Sequence, residues 1–251
     1  MTGPSHQPRF NEWEMKMSEI VLDIRSELMQ SVDEKTLNSY QRFFKEEVRC
    51  YGVKSAVVRK IATKHHPEIE HKSKHEVFSL CEELLESDYC EDAFIAFEWS
   101  YFLRKDYEPG DLQMFESWIE KYVNNWAKCD TFCNHTVGSF IEQFPQHIED
   151  LKRWTQSSNR WLRRASAVTL ILPARRGKFL EDIFEISDAL LMDEDDLVLK
   201  GYGWMLKEAS KAHQKEVFEY VIKNKDDMPR TALRYAIEKL PKDLRSLAME
   251  R

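Results

Sequence analysis

The chain is patterned at helical spacing almost from end to end. From Trp13, apolar residues return at Met17, Ile20, Val21, Ile24 and Leu28, one face of an amphipathic helix. Asp33 is placed to cap a second helix that runs through Leu37, Tyr40, Phe43 and Phe44. Gly52 marks a loop, and Lys54 to His65 reads as a third helix, ended by Pro67. Helices are then predicted at about 73–88, 90–104, 110–124 and 126–143, with Asp111 and Asn125 as caps or first-turn residues and Pro145 closing the run. Seven more follow at about 147–156, 159–172, 178–191, 195–210, 213–224, 230–239 and 241–250. A Pro, a Gly or an Asp/Ser/Asn cap separates each from the next.

No segment alternates as a strand does, and no Asn-Gly or Asp-Gly hairpin signal is present. Only 7 Gly and 8 Pro in 251 residues also argue against an all-β fold. The expected class is all-α. Short links between helices favour a solenoid of helix pairs, whose concave side can hold a rod-shaped ligand, with an irregular bundle as the alternative. The length allows one extended domain or two fused ones. The expectation is a disordered tail over residues 1–10 and a single repeat domain over 11–251. No apolar run reaches the roughly 18 residues of a membrane span, and the N-terminus is polar. Five cysteines, an odd number without a Cys-x-x-Cys pair, fit reduced thiols and a cytoplasmic protein.

The formal net charge of −7 speaks against nucleic acid, but its distribution changes that. Residues 1–150 hold 17 Lys and Arg against 28 Asp and Glu; residues 151–251 hold 20 against 16. A basic face confined to the C-terminal part is one explanation, and solvated helices that merely differ in charge are the other.

Three stretches mix tryptophan with charge. In Asn124-Asn125-Trp126-Ala127-Lys128-Cys129-Asp130, Trp126 and Asp130 share a helix face. They are either an outward-facing pair or a core indole beside a first-turn carboxylate favoured by the helix dipole. Cys129 and Cys133 read as core. A zinc site with His135 fails, since that histidine lies about 200° around the helix from Cys133 at roughly 100° per residue. In Arg160-Trp161-Leu162-Arg163-Arg164, three arginines crowd a helix start whose dipole is already positive, and a phosphate would relieve them. Arg175, Arg176 and Lys178 follow at the next turn, and residues 151–178 contain no acid to pair with any of these cations. Lys200, Trp204 and Lys207 form a third stripe, in which Gly201 and Gly203 suggest close approach by another backbone or a ligand. Arg230 and Arg234, one turn apart, extend the basic set. These three stretches are expected to meet in space.

No nucleophile elbow, phosphate loop, zinc-protease motif or dinucleotide fingerprint occurs. One carboxylate among indoles and positive charge suits the stabilisation of a cationic transition state or the orientation of a water. Glycosidic cleavage passes through such a cation, and a leaving group that is already cationic needs no acid to protonate it.

Several pieces, in order, resemble the AlkD-type DNA alkylation repair enzymes, DNA glycosylases of HEAT-like helical repeats. They are Arg42-Phe43-Phe44-Lys45, Tyr51-Gly52-Val53, Trp126-x-x-x-Asp130, Asn159-Arg160-Trp161-Leu162-Arg163-Arg164, Lys200-x-x-Gly203-Trp204-x-Leu206-x-Glu208 and Arg230-x-x-Leu233-Arg234-x-Ala236-Ile237. The resemblance covers about residues 15 to 245. It implies a HEAT-like superhelix clasping duplex DNA on a concave basic face and excising cationic alkylpurines of the 3-methyladenine and 7-methylguanine type. It further implies a monomer that uses no metal or nucleotide cofactor and does not flip the base. By the same resemblance Asp130 is catalytic, Trp126 and Trp204 pack on the lesion's sugar and backbone, and Arg164 holds the backbone there. Phe43, Lys45, Arg160, Arg163, Arg175, Arg176, Lys200, Lys207, Arg230 and Arg234 are the expected DNA contacts. The chain departs from the family at Phe43, where a tyrosine is frequent; the aromatic face is kept and the hydroxyl is absent. Two rivals are a non-catalytic binder of damaged, bent or branched DNA on the same scaffold and a protein-binding helical array.

Overall fold

The structure, a computed structural model, describes residues 17–44 and 47–250. Among the described residues there is no strand. The described residues run through sixteen α-helices: α1 (Glu19–Gln30), α2 (Glu34–Phe43), α3 (Ser55–Lys64), α4 (Lys74–Leu85), α5 (Cys90–Phe102), α6 (Asp111–Tyr122), α7 (Trp126–Phe132), α8 (Gly138–Gln143), α9 (Ile148–Trp154), α10 (Arg160–Val168), α11 (Ile171–Arg175), α12 (Leu180–Ala189), α13 (Asp196–Ala209), α14 (Gln214–Asn224), α15 (Arg230–Ile237) and α16 (Lys242–Met249). This is the all-α, helical-repeat architecture that the spacing of apolar positions predicts. The expected tail over residues 1–10 lies outside the described residues. No helix among the described residues is long and apolar enough to cross a membrane.

Two compact units divide the chain, one ending at Trp99 and one beginning at Ser100. In the first, α1 packs on α3 and α4, burying Val21, Ile24 and Leu28 completely. Asp33 caps α2, its carboxylate accepting from the Thr36 amide at 2.8 Å. Between α2 and α3 the loop turns at Gly52, with φ +90°. A Cβ there would sit 2.6 Å from that of Leu37, so the position needs glycine on two counts. The fully buried Glu91 carboxylate accepts from three successive loop amides, Tyr51 at 3.0 Å and Gly52 and Val53 at 2.9 Å. Buried amides need partners, and this one side chain supplies all three.

The second unit is built on an aromatic core. The Phe115 ring of α6 meets Phe132 of α7 at 5.6 Å and 89°, and Phe140 of α8 at 5.8 Å and 89°. Such edge-to-face pairs add about 0.5–1.5 kcal/mol each beyond burial. They hold α7 by its Phe132 side and leave another face for function. Successive helices then stack: α10 on α7, α9 and α13, and α13 in turn on α11, α12 and α15.

Two predicted helices are interrupted. The segment expected as 159–172 is two helices, α10 and α11, because Pro173 has no N–H for the Thr169 carbonyl. The segment expected as 126–143 contains a π-helical turn, Cys133–Val137, between α7 and α8. A wider turn of this kind leaves no trace in hydrophobic spacing, and it recurs at functional sites.

Candidate active site

Asn125 begins the site. Its extended backbone and side chain cap α7, the side chain accepting from the Lys128 amide at 3.0 Å. The helix therefore starts at Trp126, which puts Trp126 and Asp130 one turn apart on one face. Cys129, Phe132 and Cys133 are fully buried, the two cysteines on the face next to that pair. Burial pushes the Cys129 thiol far up, so it remains a protonated core group rather than a nucleophile.

Arg164 of α10 is bound side-on to Asp130, with Nε donating to Oδ1 at 2.9 Å and Nη2 to Oδ2 at 2.8 Å. Its Nη1 donates to the Leu197 carbonyl in the first turn of α13. Arg164 is buried, and Asp130 keeps 12% of its side chain exposed. Burial pushes the Asp130 carboxyl above its ordinary range, and the Arg164 guanidinium pulls against that by charge and by hydrogen bonding. The pair is ionic, since a guanidinium does not give up its proton. Each carboxylate oxygen keeps a lone pair, and two of the five guanidinium N–H groups remain uncommitted to Asp130 or Leu197.

The third stretch arrives through glycine. A Cβ on Gly201 would lie 3.5 Å from Arg164 Cγ, and one on Gly203 would lie 2.7 Å from the Ala232 carbonyl oxygen of α15. The close approach expected at these glycines is by Arg164 on one side and the α15 backbone on the other. Leu197, Gly201 and Trp204 share a face of α13 at spacings of four and three. The half-buried Trp204 thus follows the Arg164 contact by one turn. Residues 126–130, 160–164 and 197–204 meet around the Asp130–Arg164 pair.

The remaining basic residues divide into two groups. Arg160 pairs with Asp195 at 2.8 Å, Arg163 with Asp193 at 2.7 Å and Arg175 with Glu208 at 2.7 Å. Arg176 pairs with Glu142, Lys200 with Asp196 at 2.7 Å, and Lys207 with Glu238 at 3.0 Å. The local window 151–178 holds no acid, yet these cations are paired: α7 supplies Asp130 to Arg164, and α8, α13 and the loop before α13 supply the acids for Arg160, Arg163, Arg175 and Arg176. Folding brings in partners that a local window of sequence does not contain. Arg230 and Arg234 are exposed. Lys45 and the Phe43 side chain lie outside the described residues.

Sequence reasoning missed three features of the site. Asn134, in the π-helical turn, donates to the Asp130 carbonyl at 2.9 Å. It continues the face of Trp126 and Asp130 at a further spacing of four, a signal that was available. The Leu197 carbonyl is a backbone acceptor and carries no side-chain signature. Buried Lys128 directs its Nζ at the Tyr122 carbonyl, 3.4 Å away, where α6 ends.

Stacked helices that bring the Asp130–Arg164 pair together, with Trp126 on the face of Asp130, define an all-helical repeat protein with a largely buried ion pair at its candidate site. Its residues 24–240 match the family described as DNA alkylation repair enzyme, and the chain belongs to that family. Alkylation damage in DNA is the family's concern, and DNA is its substrate. The fold is similar to that of a solved structure titled "Predicted DNA alkylation repair enzyme from Enterococcus faecalis". The TM-score is 0.76 at 14% identity, over 84% of this chain and 98% of that one. No curated protein matches the chain.

Proposed function

We propose that this protein is a monofunctional DNA glycosylase that hydrolyses the N-glycosidic bond of positively charged alkylated purines in duplex DNA. The observation that carries the reading is the Asp130 carboxylate. It is held in one orientation by Arg164, with Trp126 on the same helix face and Trp204 one turn along from the Arg164 contact. A cationic purine departs with the bonding electron pair as a neutral base, so the step needs no general acid. The deoxyribosyl cation left behind is stabilised by Asp130 through a lone pair that Arg164 does not use. The same carboxylate orients the water whose oxygen then bonds to the anomeric carbon, and the proton that the water loses passes by way of Asp130 to solvent. Indole faces contribute about 0.5–2 kcal/mol of cation–π stabilisation. Arg164 turns its two remaining N–H groups to a phosphate beside the lesion. Because these groups act on the sugar, the base need not be turned out into a pocket of its own.

The test is release of 7-methylguanine from methylated duplex by wild type and Asp130→Asn. The expected loss is about 10²–10³-fold in rate, the usual cost of removing one such charge-stabilising group, with DNA binding retained. A second reading is binding of damaged DNA without cleavage, favoured by the fact that Arg164 already neutralises Asp130. It predicts no release by wild type and no effect of Asp130→Asn on binding.

A further inference from the structure

We propose that the groove between α15 and α16 grips the DNA phosphate backbone, through Arg234, Lys242 and Arg245. The inference rests on the DNA reading above and locates the charge by which DNA is held. The groove has a volume of about 390 Å³, and its lining includes Arg234, Ile237, Glu238, Lys242, Arg245 and Met249.

The argument starts from which cations are already engaged. The basic residues of α10, α11 and α13 singled out above each have a carboxylate at hand. A phosphate that recruits one of them strands an acid beside the DNA, so little net attraction is gained. Arg234, Lys242 and Arg245 are exposed and make no ion pair with a described residue. Neutralising them with phosphate releases counterions from DNA without exposing a carboxylate of their own.

Their arrangement fits a continuous polyanion. Lys242 and Arg245 are three apart on α16, and Arg234 faces them from α15, with Arg230 one turn before it on the same side. Ile237 and Met249 give the groove apolar walls on which arginine and lysine stems can lie while their heads stay in water. Glu238 is the one acid of the lining, and Lys207 and Lys239 engage it at 3.0 and 3.4 Å.

The experiment is DNA-binding anisotropy of the full chain on an undamaged duplex across a salt series. Arg234→Ala/Arg245→Ala is expected to weaken binding and to lower the slope of log affinity against log salt by about 1.8, two contacts at roughly 0.9 each. Arg234→Lys/Arg245→Lys is expected to keep the slope. Lys215→Ala/Glu219→Ala, which removes an exposed neutral pair on α14, is expected to leave it unchanged. Circular dichroism melting checks that each variant is folded. Wild-type binding whose slope survives Arg234→Ala/Arg245→Ala would overturn the groove assignment alone and leave α16 as the polar end of a helical array. If wild type shows no salt-dependent binding, the groove and the DNA reading fall together.

Discussion

At the scale of single residues, burial and charge decide between opposite outcomes for similar carboxylates. Asp33 is held down to about 2 by the Thr36 amide first, then the Thr36 hydroxyl and Lys54. A depressed carboxyl stabilises the fold above its ordinary value and loses that contribution as pH falls through the folded value. Asp33→Asn is therefore expected to flatten the fall in melting temperature between about pH 4 and pH 2, followed by thermal scans. Asp130 is pushed the other way by burial, and Arg164 is what keeps it charged in place. Arg164→Ala leaves a buried carboxylate without its partner and should cost about 3–5 kcal/mol in denaturant titration. Arg164→Ala/Asp130→Ala should recover part of that loss. An additive double mutant would mean the two side chains do not interact as described.

At the scale of elements, close packing of α13 makes two neighbouring glycines unequal. At Gly203 a Cβ would lie 2.7 Å from both the Ala232 carbonyl oxygen and Tyr235 Cβ, whereas at Gly201 the nearest atom is at an ordinary 3.5 Å. Gly203→Ala should destabilise by about 1–3 kcal/mol as α13 is forced off α15. Gly201→Ala should be neutral or gain up to about 1 kcal/mol from helix propensity. Urea midpoints that rank the two the other way would refute this packing. The π-helical turn belongs to the same scale. It lies directly after α7 and lets Asn134 reach the Asp130 carbonyl, fixing the backbone beneath the carboxylate.

At the scale of the whole molecule, acids are engaged far from their own segments. Lys64 above all holds Glu27 below its ordinary range, and Lys207 does the same for Glu238. Glu208, which burial would raise, is brought down by Lys211 and Arg175. Each such group adds stability above its unfolded value that is lost on acidification; Asp92 and Asp130, raised by burial, act with the opposite sign. The lowered set is the larger, so the melting temperature should fall from about pH 5 toward pH 3. A flat profile would show that these pairs do not survive in solution. The same pairing bears on how a chain of net charge −7 can serve an anionic substrate: the acids beside the arginines of α10 and α11 are held by those arginines, and exposed cations of α15 and α16 make no ion pair with a described residue.

Where the helices lie is largely determined by sequence alone, because periodicity, caps and prolines are local properties; the π-helical turn at Cys133–Val137 is not. Asp33 and Asn125 cap the helices that follow, as their positions suggest, and Asn159 and Asp195 do the same for α10 and α13. The Trp126–Asp130 face was legible for the same reason: a spacing of four needs nothing beyond one helix. Tertiary structure decided what local patterns cannot carry. It set the bond from Asp130 to Arg164 across 34 positions, the backbone acceptor at Leu197, and the acids that meet the arginines of α10 and α11. Those choices follow from which helix packs on which, and long-range packing is a property of the assembled core rather than of any stretch within it.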